Sequence, residues 1–477
     1  MYDFLNTLSG LIWGPITLIL ILGTGIFLSL GLKGFTFTYI LVAFKQIFRK
    51  DEKATDGEIT SFQSLTTALS ATVGTGNIAG VATAIYIGGP GAVFWMWVVA
   101  FFGASTAYFE ATLAQIYKEK DEMGMYRGGP AYFIEKAMGQ RWYAWLFAIC
   151  TIIAVGFCLP GIQANSIVAA AENAWGIPPI AGASIIAFGV ALIVFGGIRR
   201  IASFTQVVVP VMALGYILIA LVVMAVNYEQ IPSMFYLIID SAFFGQAGFG
   251  AIVGLAIQWG VKRGIYSNEA GQGTAPHAAA AAEVSHPAKQ GLVQAFSVYI
   301  DTLFVCTATA FMILLTGLYN VEGPDGVMLY TGLAGVDAGP IYVQSAFETI
   351  LPGLGASLLA ISLFFFAFTT ILAYYYIAET NVMFINRKTQ RPWLMIFLKW
   401  LVLSSVMYGG IKSADLAWAL GDVGVGAMAW LNIVAILILQ RPALLTLKDY
   451  EAQLKAGEDP DFDSDKIGIK NAEYWIK

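Results

Sequence analysis

The sequence predicts an all-α polytopic membrane protein of about 11 transmembrane helices, and three observations carry that prediction. Of 477 residues, 58% are hydrophobic and only 12% are charged. A water-soluble chain of this length could not bury that much apolar surface, because surface shrinks too slowly with size. Apolar stretches of roughly 20 residues, the length that crosses a bilayer, recur almost end to end. Between them, Lys and Arg fall in alternate gaps: segments 32–61, 118–141, Arg199–Arg200, 261–290, 386–392 and 441–477 hold 24 of the chain's 26. The gaps 173–177, 227–237 and 318–352 hold none. The positive-inside rule then places the N-terminus outside, the C-terminus in the cytoplasm, and an odd number of spans between them.

The first span, 11–31, follows a start that carries Asp3 and no basic run. It is therefore expected to be retained and not cleaved as a signal peptide. Residues 35–48 mix apolar side chains with Thr and Lys45. They suit a helix lying in the membrane interface or a short linker helix. Ten further spans follow at 62–87, 90–117, 142–166, 178–196, 205–226, 238–260, 291–317, 353–380, 393–410 and 415–438. The net charge of -5 gathers partly in the tail between Asp449 and Asp465 and identifies no partner.

Two spans cannot be continuous helices by composition. The second holds Ser70-Ala71-Thr72-Val73-Gly74-Thr75-Gly76-Asn77, and the seventh holds Phe243-Phe244-Gly245-Gln246-Ala247-Gly248-Phe249-Gly250. Each interior glycine costs about 1 kcal/mol of helix stability. A glycine-rich face can also serve close helix packing. The spacing favours breaks: the segments lie five spans apart, as matching helices of a five-plus-five repeat would. Five crossings reverse the topology, so that repeat would be inverted. Paired interruptions at matching positions are the sequence pointer to a transporter site.

An unwound turn exposes N–H groups on one half-helix and carbonyls on the other, and both need partners inside the protein. The N–H end suits a carboxylate, and the carbonyls suit a dehydrated alkali cation. Thr75, Gly76 and Asn77 are thus expected to face a substrate carboxylate, with Gln246 at the second break. Carbonyls near Ser70, Ala71 and Val73 would face the ion. Gln163, after Leu159-Pro160-Gly161, serves either as a substrate contact or as a link between helices. Trp259 serves either as a pocket wall or as an interfacial anchor. Thr369 and Thr370 either coordinate sodium or bond back to the preceding turn.

Acids inside spans are functional candidates by default. Glu110 and Asp301 lie deepest; Asp240, Glu379, Asp415 and Asp422 lie nearer span ends, and only Lys399 stands inside a span as a basic partner. Glu110 and Asp301 could carry a proton, balance a bound cation or hold the fold by hydrogen bonds. His277 and His286 are read as loop residues and not as ligands. Cys150, Cys158 and Cys306 fall in apolar spans as small core side chains, with no disulfide or zinc spacing. No catalytic or nucleotide-binding motif is present, so no enzyme and no organic cofactor is expected.

Three longer motifs then stand out: Gly88-Gly89-Pro90-Gly91-Ala92-Val93-Phe94-Trp95-Met96-Trp97 continuing to Gly103, Gly74-Thr75-Gly76-Asn77-Ile78-Ala79-Gly80, and Tyr266-Ser267-Asn268-Glu269-Ala270-Gly271. With His286-Pro287 and Gln290-Gly291, they resemble the alanine or glycine:cation symporter family over nearly the whole chain. The resemblance implies a leucine-transporter-like 5+5 inverted repeat plus one extra N-terminal helix, and sodium-coupled uptake of small neutral amino acids. It implies substrate contacts from Asn77 and Gln163, and a pocket wall from Trp259. It also implies a sodium site from Ser70 or Ala71, Val73, Phe366, Thr369 and Thr370. The Ser267–Gly271 motif is read as a cytoplasmic gate or hinge.

The expected organisation is an extra helix over 1–34, an interfacial helix and linker over 35–61, repeats over 62–226 and 227–440, and a cytoplasmic tail over 441–477. Partners are a small neutral amino acid, sodium and membrane lipid, with no nucleic acid; oligomeric state is open, a monomer being compatible. Two rivals to sodium symport are a proton-coupled symporter of the same fold and a receptor or channel without coupled transport.

Overall fold

The computed structural model describes residues 2–33, 35–47, 59–122, 124–195, 197–244 and 250–476. Helix α1 (Tyr2–Ile12) meets α2 (Pro15–Gly31) at a bend of 41°. Gly14 and Pro15 cause it, since Pro15 brings no N–H. The first span is therefore a bent pair that begins nine residues before the predicted 11–31. Helix α3 (Phe35–Ile47) packs on later spans, with the Tyr39 hydroxyl donating to Glu451.

The second span divides into α4 (Ser61–Thr72) and α5 (Gly76–Gly88), bent by 49°. Thr60 and Gln63 close a reciprocal capping box at the start of α4, satisfying two otherwise orphaned donors. Helix α6 (Gly91–Ile116) follows, then the hairpin of β1 (Glu119–Lys120) with β2 (Tyr126–Arg127) and α7 (Pro130–Met138). Next come α8 (Arg141–Trp175), α9 (Pro179–Val194) and α10 (Gly197–Val226).

The second half holds α11 (Ile231–Phe243), α12 (Gly250–Asn268), the short α13 (Ala275–Ala281) and α14 (Pro287–Thr316). Strands β3 (Asn320–Glu322) and β4 (Met328–Thr331) pair before α15 (Pro340–Ile350). The chain then forms α16 (Gly355–Asn386), α17 (Trp393–Ile411) and α18 (Ala414–Lys455).

Among the described residues, seven helices are long and apolar enough to cross a membrane, or nine spans if each bent pair counts as one. The predicted spans 178–196 and 238–260 fall on α9, which has 16 residues, and on α11 with α12. Of the predicted second break, Phe243–Gly250, residues 245–249 lie outside the described residues, and Gln246 with them.

Helix α6 packs along α12 and α14, while α8 packs along α16 and α17. Helices α4 and α10 bridge the two groups through α16. One expectation is corrected here. Segment 261–290 is no exposed loop: α12 runs to Asn268, α13 is buried, and Lys262, Arg263, His277 and His286 are all buried. The expected tail over 441–477 starts as helix. Helix α18 continues through Pro442 to Lys455, and the chain beyond folds back on the molecule, burying Phe462 and Trp475.

Candidate functional site

The break between α4 and α5 is held open by side chains from elsewhere. In an unbroken helix the Gly74 N–H would reach the Ser70 carbonyl, and Thr75 N–H that of Ala71. Instead Gly74 N–H donates to Asn77 Oδ1 at 2.8 Å, and Thr75 N–H to Gln163 Oε1 at 3.0 Å. Both donors are therefore capped by amide oxygens, and the carbonyls of Ser70 and Ala71 lose their helical partners. Val73 ends α4 at φ -77°, ψ 88°, a geometry that turns its carbonyl out of the helix ladder.

That carbonyl meets α16. Thr370 Oγ1 donates to Phe366 O at 3.0 Å and stands 3.5 Å from Val73 O. Thr369 Oγ1 bonds back to Phe365 O and Phe366 O, each at 2.9 Å. Ser70 Oγ donates to Thr67 O at 2.7 Å. Val73, Phe366 and Thr370 thus converge, while both threonine hydroxyls also bond back to the preceding turn.

Glycine is required here by space. A Cβ on Gly74 would stand 2.5 Å from Thr370 Oγ1 and 2.9 Å from Gln163 Oε1. One on Gly76 would meet Ser267 Cα and Tyr266 Cδ1, both at 3.1 Å. Thr75, Asn77, Gln163 and Thr370 are all buried, and Thr75 Oγ1 has no hydrogen-bond partner among the described residues.

On its other side the break faces α12 and α14. Asn77 Nδ2 donates to Asp301 Oδ1 at 2.6 Å. Asp301 Oδ2 accepts from Ser267 Oγ and Thr302 Oγ1, each at 2.9 Å. Asp301 lies in a widened turn, Ile300–Cys306, the kind of irregularity that often marks function inside a helix. Two residues after Ser267, Glu269 sits at φ +57° with Oε1 on the Tyr374 hydroxyl (2.8 Å) and Oε2 on Thr274 Oγ1 (2.6 Å). Glu110 accepts from Gly271 N–H at 3.2 Å and from Asn432 Nδ2 at 2.7 Å.

Tyr266 and Ser267 were not expected at the break. Their motif is legible in the sequence, but Lys262 and Arg263 before it read as loop charges. The structure buries both cations against Asp422. Arg263 bonds it at 2.9 and 3.2 Å, and Lys262 at 2.7 Å. Trp259 lies beside this cluster. It stacks on these cations, 4.6 Å from Lys262 Nζ and 5.0 Å from Arg263 Cζ, and Tyr266 is the aromatic residue against Gly76. Asp422 and Glu379, read as acids near span ends without a basic partner, are both paired, Glu379 with Arg127 at 2.9 Å.

The model of the sodium:alanine symporter family matches residues 1–464. A Bacillus subtilis (strain 168) chain, YrbD, named provisionally as a sodium/proton-dependent alanine carrier protein, is 54% identical over 477 residues, covering 100% of this chain and 98% of its own. The sodium/alanine symporter AgcS of Methanococcus maripaludis is 41% identical over 443 residues, covering 92% and 94%. Among solved structures, a substrate-bound, outward-open Na+-coupled sialic acid symporter aligns over 96% of both chains, with a TM-score of 0.54 at 14% identity. At that identity the likeness is one of fold.

Proposed function

This chain belongs to the sodium:alanine symporter family, and we propose on that footing that it imports a small neutral amino acid, alanine or glycine, together with sodium by alternating access. The observation that carries the reading is the pair of side-chain caps at the break. Gly74 and Thr75 N–H groups already point at oxygens, those of Asn77 and Gln163. A substrate carboxylate offers the same acceptor chemistry with a full charge, and charged acceptors bond such donors more strongly. It would take over these two donors, with Gly76 N–H beside them, and release Gln163 to the substrate.

Sodium would sit where the helix has lost its ladder, among the carbonyls of Ser70, Ala71, Val73 and Phe366 and the hydroxyls of Thr369 and Thr370. An all-oxygen set without a carboxylate suits a hard monovalent ion that must also leave. Ion and carboxylate would share one unwound turn, so each favours the same arrangement of it; their bindings are then reciprocally coupled.

The wider architecture in this reading is 11 spans: an extra first helix, repeats over 62–226 and 227–440 in inverted orientation, and a cytoplasmic C-terminus. The break between α4 and α5 supports it, as does a Lys and Arg bias that survives setting aside Lys262 and Arg263. A second reading, proton coupling, draws on Glu110, Glu269 and Asp301, which are fully buried and form no salt bridge among the described residues.

Uptake of radiolabelled alanine into proteoliposomes separates the readings. Sodium symport predicts concentrative uptake under an inward sodium gradient, competition by glycine, and loss of uptake in sodium-free buffer at constant pH. Full uptake in that buffer would sink it. No concentrative uptake under any cation gradient would leave a receptor or channel.

A further inference from the structure

Where the end of α8 meets α9 and the start of α16, the helices leave an apolar groove of about 290 Å³. Ala171 and Trp175 come from α8, Gly182 and Ile185 from α9, and Ile361 and Phe365 from α16. The one polar side-chain atom on its wall, Trp175 Nε1, is taken: it donates to Ser357 Oγ at 2.9 Å. A polar ligand would be desolvated here without a hydrogen-bond partner, at a cost nothing in the groove offsets. What binds must therefore be apolar.

The surroundings identify it. Trp175, Ile185 and Ile361 are exposed, so the groove opens outward, and beside it α9 also exposes Ile180 and Phe188. In a multi-pass membrane protein the groove is thus continuous with a face that meets lipid. Exposed Glu172 and Asn173 stand at one end next to Trp175, a residue type favoured at the membrane–water interface. Ser357 at that end and Phe365 at the other lie about 12 Å apart along α16, at 1.5 Å per residue. One leaflet's share of the hydrocarbon core is about 15 Å. By proportion to a cavity of about 150 Å³ that holds benzene, the groove takes roughly a dozen carbons. Depth, volume and a single polar end together match one acyl chain. The deep end reaches the proposed sodium seat. Phe364, also on the wall, stacks on Phe368 with centroids 5.2 Å apart. Phe368 lies against Gly189 of α9, where a Cβ would stand 3.1 Å from its ring. Phe365 O accepts from Thr369 Oγ1 at 2.9 Å.

We propose that one acyl chain of a bilayer phospholipid seats in this groove and braces the Phe364–Thr370 segment of α16 against α8 and α9, so that its occupancy sets how tightly that segment holds sodium. Without the chain, Phe364 and Phe365 lack contact atoms on one side and lose that packing outright. With it, both rings are fixed, and the Phe368 stack and the Thr369 back-bond carry the constraint to the hydroxyl pair. The seat stands on the groove alone; its effect on sodium rests on the symport reading.

The test uses the full chain in vesicles of dioleoyl phospholipid with a trace of phospholipid that carries a diazirine on its acyl chain. After photolysis, mass spectrometry maps the label. A seated chain concentrates label on Ile361 and Phe365 over Phe188, which faces the open bilayer. Ala171→Phe fills the groove from α8 and should cut the label on Phe365 about tenfold, while Phe188 stays labelled as in the parent. Ile361→Trp fills it from α16 and keeps the test decisive if Ala171→Phe does not fold. For the brace, the readout is the sodium concentration at half-maximal alanine uptake. In the parent it should rise several-fold when diphytanoyl chains, widened by methyl branches, replace dioleoyl chains on the same headgroups. In the filled variants it should be the same in both lipids. Label spread evenly over Phe188 and Phe365, or undiminished by both fillings, overturns the seat. A parent with one sodium requirement in both lipids overturns the brace. A parent that labels in the groove yet takes up no alanine under a sodium gradient defeats the symport reading and keeps the seat.

Discussion

Gly74 shows how tightly single positions are specified. Alanine there would press on Thr370 Oγ1 and Gln163 Oε1 at once, and overpacking of this kind costs about 1–3 kcal/mol. Both neighbours belong to the proposed seats, so Gly74→Ala is expected to cut alanine uptake by roughly 10- to 100-fold, on the same 1–3 kcal/mol scale. Thr370→Ala removes one hydroxyl from the sodium set. It should raise the sodium concentration at half-maximal uptake several-fold and leave the maximal rate near that of the parent. Asn77→Ala and Gln163→Ala should each weaken alanine binding, measured by calorimetry on folded protein; parent-like binding in both would remove them from the site. Most of these residues are legible in sequence because polar groups and glycines stand out within apolar spans. Ser267 and Tyr266 are not, because sequence spacing alone cannot show that Arg263 and Lys262 share one buried acid on a helix more than 150 residues away.

At the scale of elements, that acid joins α12 to α18. The N-terminal helix adds to the joint, since Trp13 Nε1 donates to Asp422 O at 2.8 Å and Lys262 Nζ lies 3.3 Å from Ser9 Oγ. Asp422→Asn would strand two buried cations, and breaking a buried pair in this way costs about 3–5 kcal/mol. We expect a clear drop in thermal stability in detergent. The double change Asp422→Leu with Arg263→Met should recover part of it, since it removes charge from both sides. Helix α13, between the spans, gives a pH-dependent counterpart. Burial pushes the His277 ring down to about 4, against an ordinary value near 6.5. Its Nδ1 contacts Thr274 O at 3.0 Å and its Nε2 contacts Asn381 Nδ2 at 2.8 Å, an arrangement that suits the neutral ring. Between those two values the unfolded chain binds the proton and the native state does not. Stability from this group is therefore full above about pH 6.5 and falls as pH drops toward 4. His277→Gln should flatten that part of the melting-temperature profile. Sequence alone reads this element as loop, because a few alanines with one proline and one histidine carry no span signal.

Over the whole molecule, the least readable segment proves to be among the most connected. Composition marks the residues after Lys455 as a polar, acidic tail. In the structure they close over one end of the helix bundle. Trp475 Nε1 donates to Gln115 O on α6 at 2.8 Å, Asn471 Nδ2 to Lys136 O on α7 at 2.9 Å, and Lys289 at the start of α14 pairs with Asp459 at 3.1 Å. Phe462 and Trp475 meet edge to face, with His286 against Phe462. No periodic pattern announces such a strap, because it is held by a few large side chains and not by a helical face. Its stabilising part is concentrated in those side chains, since the ion pair is half open to water and such pairs contribute about 0–1 kcal/mol. Trp475→Ala should then cost about 3–5 kcal/mol, the range for emptying a buried aromatic site, while Asp459→Asn should change the melting temperature little. Differential scanning fluorimetry of the two variants in detergent checks this. Equal and small shifts for both would mean that the strap lies on the bundle without holding it.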